Sequence, residues 1–188
     1  MNEQAEQVLR RVEGFIAEQT DALAIPREAG EFIHGLVLAT RARRAVEVGT
    51  SYGYSGLWIG AALQENGGRL ITIDREPRKS EIATRHFAEA GLADCIECRT
   101  GVAEDILPAI DGPIDFVLND ADKENCRRYV ELLLPKLADR AVVLTDNTLT
   151  HAEDLADFLT WVRGHESFWS RNVPVGNGME LSVRRDGS

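Results

Sequence analysis

Glu47-Val48-Gly49-Thr50-Ser51-Tyr52-Gly53-Tyr54-Ser55, residues 47–55, is the stretch whose reading decides the fold. Ahead of its glycines lies the short apolar run Ala45–Val48; behind them Tyr54–Leu63 reads as a helix. A strand that passes through glycine into a helix is the opening unit of an α/β sheet. Glycine at that turn permits a tight bend and close approach of the backbone to a ligand. The segment is not a G-x-G-x-x-G loop, and Glu47 before the first glycine is unusual for one. The next strand, Leu70–Ile73, ends in Asp74, 21 residues beyond Gly53, a spacing that suits a carboxylate gripping a ribose diol. The plainer alternative is a strand-turn-helix in which Asp74 only caps the following helix.

Outward from this unit the alternation continues. Pro77–Ala90 is a helix closed by Gly91. Cys95–Arg99 is a third strand, Ile114–Leu118 a fourth, Glu124–Leu137 a helix, Ala141–Leu144 a fifth strand and Glu153–Val162 a further helix. On the amino-terminal side, Gln4–Glu18 carries Val8, Val12, Phe15 and Ile16 at helical spacing. Pro26 opens a second helix with Phe32, Ile33, Leu36 and Val37 on its buried side. The tail holds two strand-like runs, Ser167–Val173 and Met179–Arg184, joined by the hairpin signal Pro174-Val175-Gly176-Asn177-Gly178.

Apolar strands alternating with helices predict a parallel sheet covered on both faces. The fold class expected is α/β, a doubly wound, seven-stranded, mostly parallel sheet with a C-terminal antiparallel hairpin and helices on both faces. No linker or repeat divides the chain, so residues 1–188 are expected to form one domain. Residues 1–40 supply its N-terminal helices and residues 41–188 its binding and catalytic core.

Composition narrows the function. The 188 residues are 44% hydrophobic and 28% charged, with a mean hydropathy of -0.22, which excludes disorder and collagen-like repeats. A chain of this length buries roughly two-thirds of its unfolded surface, so neither disulfides nor a structural metal are needed. The formal charge of -10 repels nucleic-acid backbones and anionic lipid, so no nucleic-acid or membrane partner is expected. The longest uncharged apolar stretch, Gly53–Leu63, is far short of a membrane span, and residues 1–20 do not read as a signal peptide. A cytoplasmic location is expected. Cys95 and Cys98 have the spacing of a redox or zinc pair but no second pair. Placed in a strand, they would face opposite sides of the sheet and serve as packing residues, as would Cys126.

Two further strand ends carry chemistry. The fourth runs into Asn119-Asp120-Ala121-Asp122-Lys123 and the fifth into Thr145-Asp146-Asn147. Neighbouring parallel strands bring Asp120, Asp146 and Asn147 to one edge, where ligands of such sheets bind. Two carboxylates and an amide form an all-oxygen donor set suited to Mg²⁺. The alternative is that Asp122 and Asn147 merely cap helices.

Taken together, these segments resemble the class I S-adenosylmethionine-dependent O-methyltransferases of the cation-dependent catechol and caffeoyl-CoA type, with a Rossmann-like sheet. The likeness runs from about Pro26 to Arg184. Residues 47–55 are similar to that family's cofactor loop, and Asp74 stands where its ribose-binding acid stands. Asp120-Ala121-Asp122-Lys123 resembles its Asp-Ala-Asp-Lys signature, Asp146-Asn147 its second metal-binding pair, and residues 174–179 its closing hairpin. The resemblance implies that Glu47, Gly49, Ser51 and Ser55 hold the methionine part of S-adenosyl-L-methionine, Asp74 the ribose, and that Ala103 lies near the adenine. Asp120, facing the cofactor as well, would bind Mg²⁺ (or Mn²⁺ or Ca²⁺) with Asp146 and Asn147. Lys123 would be the general base toward a small-molecule aromatic hydroxyl substrate. A homodimer is compatible with the family. Asn119 stands where the family is usually apolar, and the segments after Asn147 and at the amino terminus are short. Alternatives are a tRNA-modifying methyltransferase of the same family, a non-catalytic nucleoside-binding module, and a short-chain dehydrogenase. The last needs Tyr and Lys four residues apart, whereas Tyr129 is followed at that spacing by Leu133.

Overall fold

The computed structural model describes residues 1–186. Helices α1 (Glu3–Ala17) and α2 (Arg27–Thr40) lead into β1 (Arg44–Val48), α3 (Tyr54–Asn66), β2 (Arg69–Asp74) and α4 (Pro77–Glu89). Then come β3 (Ile96–Thr100), the single turn α5 (Ala103–Ile106), β4 (Ile114–Asn119), α6 (Cys126–Leu133), β5 (Leu137–Thr145), α7 (Ala156–Gly164), β6 (Phe168–Val173) and β7 (Met179–Arg184). Asn2 caps α1 by accepting the Ala5 N–H at 2.8 Å, which satisfies one of the helix's orphan donors. Helix α3 is buried along all of Tyr54–Leu63, as its lack of charge demands. Helix α2 crosses it so closely that a Cβ on Gly30 would stand 2.2 Å from the indole nitrogen of Trp58.

The strands form one sheet in the order β3-β2-β1-β4-β5-β7-β6. All pairings are parallel except those of β7, which runs against both β5 and β6. Side chains alternate across the sheet: Phe116, Leu118, Val142 and Leu144 pack under α1–α4, while Val117 and Val143 pack under α5–α7. That two-sided burial is why the central strands read as continuous apolar runs. The chain builds outward from β1 through β2 to β3, then returns to lay β4 on the other side of β1. The crevice between the carboxyl ends of β1 and β4 is therefore the switch point at which ligands bind. Val48 pairs there with Asn119, and Asn119 with Thr145.

Several element boundaries differ from those expected. Strand β5 begins at Leu137 rather than Ala141, because the solvent-facing Asp139 and Arg140 hide its first half from an apolar reading. The helix expected over 124–137 is α6 with a 3₁₀ turn on each side; Pro135 lies in the second turn and cannot supply a ladder N–H. Helix α7 starts three residues later than expected. Strand β3 starts at Ile96, so Cys95 lies before it and the alternation argument for the two thiols fails. The Cys95 thiol reaches Gly60 O on α3 and the Cys98 thiol reaches Ser80 O on α4, both in the same helical layer. Burial raises both thiol pKa values, which suits packing residues.

Candidate active site

A cavity of about 500 Å³ opens at the carboxyl ends of β1, β2 and β4. Its floor is the turn after β1. Gly49 adopts φ +107°, and a Cβ there would meet the Asp120 carbonyl oxygen at 2.2 Å, so only glycine lets the two strand ends close this tightly. The Asp120 N–H in turn donates to Val48 O at 2.9 Å. Ser51, in the left-handed region at φ 46°, donates its N–H to Asp74 Oδ2 at 2.7 Å, and Glu76 N–H donates to Asp74 Oδ1 at 2.9 Å. Two backbone donors thus fix the carboxylate of Asp74 at the rim, each oxygen keeping lone-pair capacity for a further donor.

Of the residues predicted for the cofactor, Gly49, Ser51, Asp74, Ala103 and Asp120 line this cavity. Glu47 and Ser55 do not. Ser55 lines a narrow adjoining cleft shared with Gly49, Ser51 and Asp120. Glu47 is wholly buried under the turn, where its Oε2 accepts the Thr72 hydroxyl at 2.5 Å and its Oε1 has no partner among the described residues. Burial pushes its carboxyl up to about 7, with the Ser55 and Thr72 hydroxyls pulling the other way.

The opposite wall comes from β4 and β5. Lys123, in the 3₁₀ turn ahead of α6, donates from Nζ to Asp120 Oδ1 at 2.8 Å, with both side chains largely covered. Burial raises the Asp120 carboxyl and the Lys123 charge opposes that rise. Asp146, one strand over, is 1% exposed, and its Oδ1 has no partner among the described residues. Its carboxyl is pushed up to about 6, first by burial and then by the negative charge of Asp120. Asn147, at φ 67°, lines the cavity beside Lys123 and donates from Nδ2 to Thr150 Oγ1 at 3.3 Å. Asn119 is fully buried: its amide nitrogen donates to Cys126 O at 3.0 Å, and its Oδ1 is unpartnered among the described residues.

This donor set fits a hard cation. A buried carboxylate oxygen without a partner costs about 1–3 kcal/mol or more, and a divalent ion would remove both that cost and the repulsion between Asp120 and Asp146. It is not a ready-made cage, since no cluster of three His, Cys, Asp or Glu side chains gathers among the described residues. The third oxygen donor would be an amide, with remaining positions open. The glycine floor and the anchored Asp74 likewise fit a nucleoside-bearing cofactor.

Among the lining residues that sequence reading missed are Leu23, Tyr129 and His151. His151 follows Asn147 by four residues and its N–H donates to Asn147 O at 2.8 Å, a single helical turn that swings it over the cavity. That spacing was the available signal. Leu23 reaches the cavity from the α1–α2 connection, a long-range contact that no local pattern encodes.

Known proteins place this geometry. The model of the O-methyltransferase family matches residues 2–158. A catechol O-methyltransferase from Mycobacterium tuberculosis is 35% identical over 144 residues, covering 75% of this chain and 64% of that protein. A catechol O-methyltransferase from Niastella koreensis is 33% identical over 132 residues, 68% of this chain and 59% of that one. The chain thus spans about three-fifths of the length of these curated relatives. Among solved structures, the O-methyltransferase TomG from Streptomyces achromogenes, in complex with SAM, superposes with a TM-score of 0.84 at 29% identity, over 99% of this chain and 91% of that one. An O-methyltransferase from Bacillus cereus in complex with SAH gives 0.83 at 26% identity, over 98% and 92%. With the family model spanning everything from α1 into α7, the chain belongs to the O-methyltransferase family.

Proposed function

We propose that this chain is an S-adenosylmethionine-dependent, divalent-cation-dependent O-methyltransferase acting on a hydroxyl of a small, catechol-like aromatic. The observation that carries the reading is the contact of 2.8 Å between Lys123 Nζ and Asp120 Oδ1 on the cavity wall, with the bare Asp146 Oδ1 behind it. The relatives named above support it, since two are catechol O-methyltransferases and two solved neighbours are complexes with SAM or SAH.

In this reading Glu47, Gly49, Ser51 and Ser55 hold the methionine part of the cofactor, Asp74 the ribose hydroxyls and Ala103 the edge of the adenine. Asp120, Asp146 and Asn147 hold Mg²⁺ or a similar hard cation. When bound, the cofactor supplies an electrophilic methyl group, and the cation favours ionisation of a phenol whose ordinary pKa is ~10. Lys123 Nζ takes the hydroxyl proton. The amine stands beside Asp120 on the cavity wall, within reach of an acceptor hydroxyl held there, which is the placement a general base needs. With acceptor and cofactor held in one cavity, the protein would contribute chiefly position and charge. Calorimetry with S-adenosylhomocysteine, followed by a labelled-methyl assay on catechols with Mg²⁺, tests the reading. Folded protein that does not bind S-adenosylhomocysteine would end it.

A further inference from the structure

A second cavity, of about 680 Å³, opens at the opposite end of the sheet, where β1, β2 and β3 begin. Its floor is apolar, made by Val46, Ile71, Ile110 and Ile114 of the layer under α5–α7. The β3–β4 crossover carries only the four residues of α5 and a 3₁₀ turn, Leu107–Ala109, where α3 and α4 have 13 residues each. So short a crossover leaves the starts of β2 and β3 uncovered on that face.

The walls carry Arg43, Arg44, Arg69 and Arg99. Arg44 and Arg69 are register partners on β1 and β2, so their side chains leave the sheet together, on the side of Val46 and Ile71. Glu97 and Arg99 stand on the same side of β3, opposite Ile71 and Ile73. Gly68 permits the close start: a Cβ there would lie 2.6 Å from the Arg43 Cα and carbonyl oxygen. Like charges side by side on neighbouring strands destabilise a sheet.

The fold does little to neutralise them. Arg44 donates its guanidinium N–H groups to the carbonyl oxygens of Asp111 and Gly112 at 2.7 and 3.1 Å, which fixes the group without cancelling its charge. The Asp115 carboxylate is spent on the backbone N–H groups of Arg43 and Arg44, at 2.8 and 2.9 Å. Arg99 pairs with Glu97 at 2.7 Å. Among the described residues the Arg43 and Arg69 guanidiniums have no carboxylate, and the other acids on the wall, Asp94 and Asp111, accept from none of the four through their side chains. In a chain of net charge -10, three arginines without a carboxylate partner meet at one cavity.

We propose that this cavity is a second binding site, for a polyphosphate anion of nucleotide size. Guanidinium forks match phosphate oxygens bidentately, and an anion there would relieve the Arg44–Arg69 repulsion. The volume suits a small organic molecule, whose body lies along the apolar floor. The site is independent of the methyltransferase reading, whose cavity lies at the other ends of these strands.

The test titrates full-length protein with ATP and with adenosine, in EDTA and saturating S-adenosylhomocysteine, by calorimetry. Saturation keeps nucleotide out of the first cavity, and the arginine variants assign the site whether or not S-adenosylhomocysteine binds. ATP is expected to bind at least ~10-fold more tightly than adenosine, and to weaken ~10-fold between about 0.05 and 0.5 M salt. Arg69→Gln should weaken ATP by ~10-fold and Arg43→Gln by ~3-fold or more, each with S-adenosylhomocysteine affinity unchanged. Apo Arg69→Gln should melt at or above the wild-type temperature, because the substitution removes a like-charge neighbour. ATP binding no tighter than adenosine, ATP affinity unchanged in both variants, or Arg69→Gln melting several degrees lower would each overturn the proposal; the last would mean that the fold already supplies that charge with a partner.

Discussion

At the β1–β2 end of the sheet both oxygens of Asp74 already accept backbone N–H groups, from Ser51 and Glu76. At the β4–β5 end, about one strand away, Asp146 Oδ1 and Asn119 Oδ1 are buried without any partner among the described residues. The first end is complete before a ligand arrives and acts as a rigid template. The second holds two buried carboxylates, of which only Asp120 has a cation, and its apo state is correspondingly costly. Binding is thus divided between a region that positions without rearranging and a region whose native charge balance needs a partner from outside. Glu47 crosses that division, being an unsatisfied acid on the satisfied side.

The largest effect expected is on the incomplete side. Chelation with EDTA, or Asp146→Ala, should reduce methyl transfer below detection, with Mg²⁺ or Mn²⁺ restoring activity to the chelated wild type only. Circular dichroism should show Asp146→Ala folded, since it removes a buried charge as well as a ligand. Full turnover in chelator would mean that the bare oxygen is a structural peculiarity and the contrast between the two ends has no functional content.

Next in size is Lys123. Replacement by alanine should lower kcat by roughly 10²–10⁴ with cofactor Kd nearly unchanged. Lys123→Arg should not rescue turnover, because a guanidinium keeps its proton at any working pH. An arginine variant close to wild type would reduce Lys123 to a counter-charge for Asp120, and the proton would leave by water. On the template side the effect is smaller. Asp74→Ala should weaken S-adenosylhomocysteine binding by about 1–3 kcal/mol, with kcat at saturating cofactor nearly retained. Because Asp74 also anchors the Ser51 N–H, the apo melting temperature must be read alongside, and a large fall there would assign the loss to the loop.

The template side was the more legible in sequence, for a physical reason. Gly49, Ser51 and Asp74 are separated by local chain, and their spacing follows from one strand-turn-helix-strand unit. On the other side, Asp120 and Asp146 could be placed together only by assuming that β4 and β5 are neighbours, which the sheet order bears out. What no local pattern could show is which atoms stay unpaired, because that depends on packing from several elements. Glu180 illustrates the limit. In the run Met179–Arg184 it reads as an ordinary strand acid, yet it is wholly buried, gripped bidentately by Arg163 from α7 at 2.8 and 2.7 Å and by the Ser170 hydroxyl at 2.7 Å. The early start of β5 was hidden in the same way, by the exposed Asp139 and Arg140 at an irregularity in its pairing with β4.

The smallest effect expected tests the residue that crosses the division. Burial holds the Glu47 carboxyl at about 7 in the folded protein, against roughly 4.3 in an unfolded chain. A group whose folded pKa is raised stabilises the fold fully below its unfolded pKa, and that contribution is lost as pH rises through the folded value. Between pH 6 and pH 8 the loss from Glu47 amounts to roughly 1 kcal/mol, or a fall in apo melting temperature of about 2–4 °C. Asp146, also raised, contributes with the same sign, so the diagnostic quantity is the difference between wild type and Glu47→Gln. The variant keeps an acceptor for the Thr72 hydroxyl but cannot ionise, and its melting temperature should fall less over this window. If Oε1 is reserved for the ammonium of the cofactor's methionine part, binding should lower the Glu47 pKa. S-adenosylhomocysteine should then bind more tightly to the wild type as pH rises from 6 to 8, and the pH slope of the loaded protein should flatten. Melting curves of both proteins, with and without S-adenosylhomocysteine at pH 6, 7 and 8, decide it. Parallel slopes for wild type and variant would place Glu47 among the permanently ionised acids and leave its bare oxygen without a role in binding.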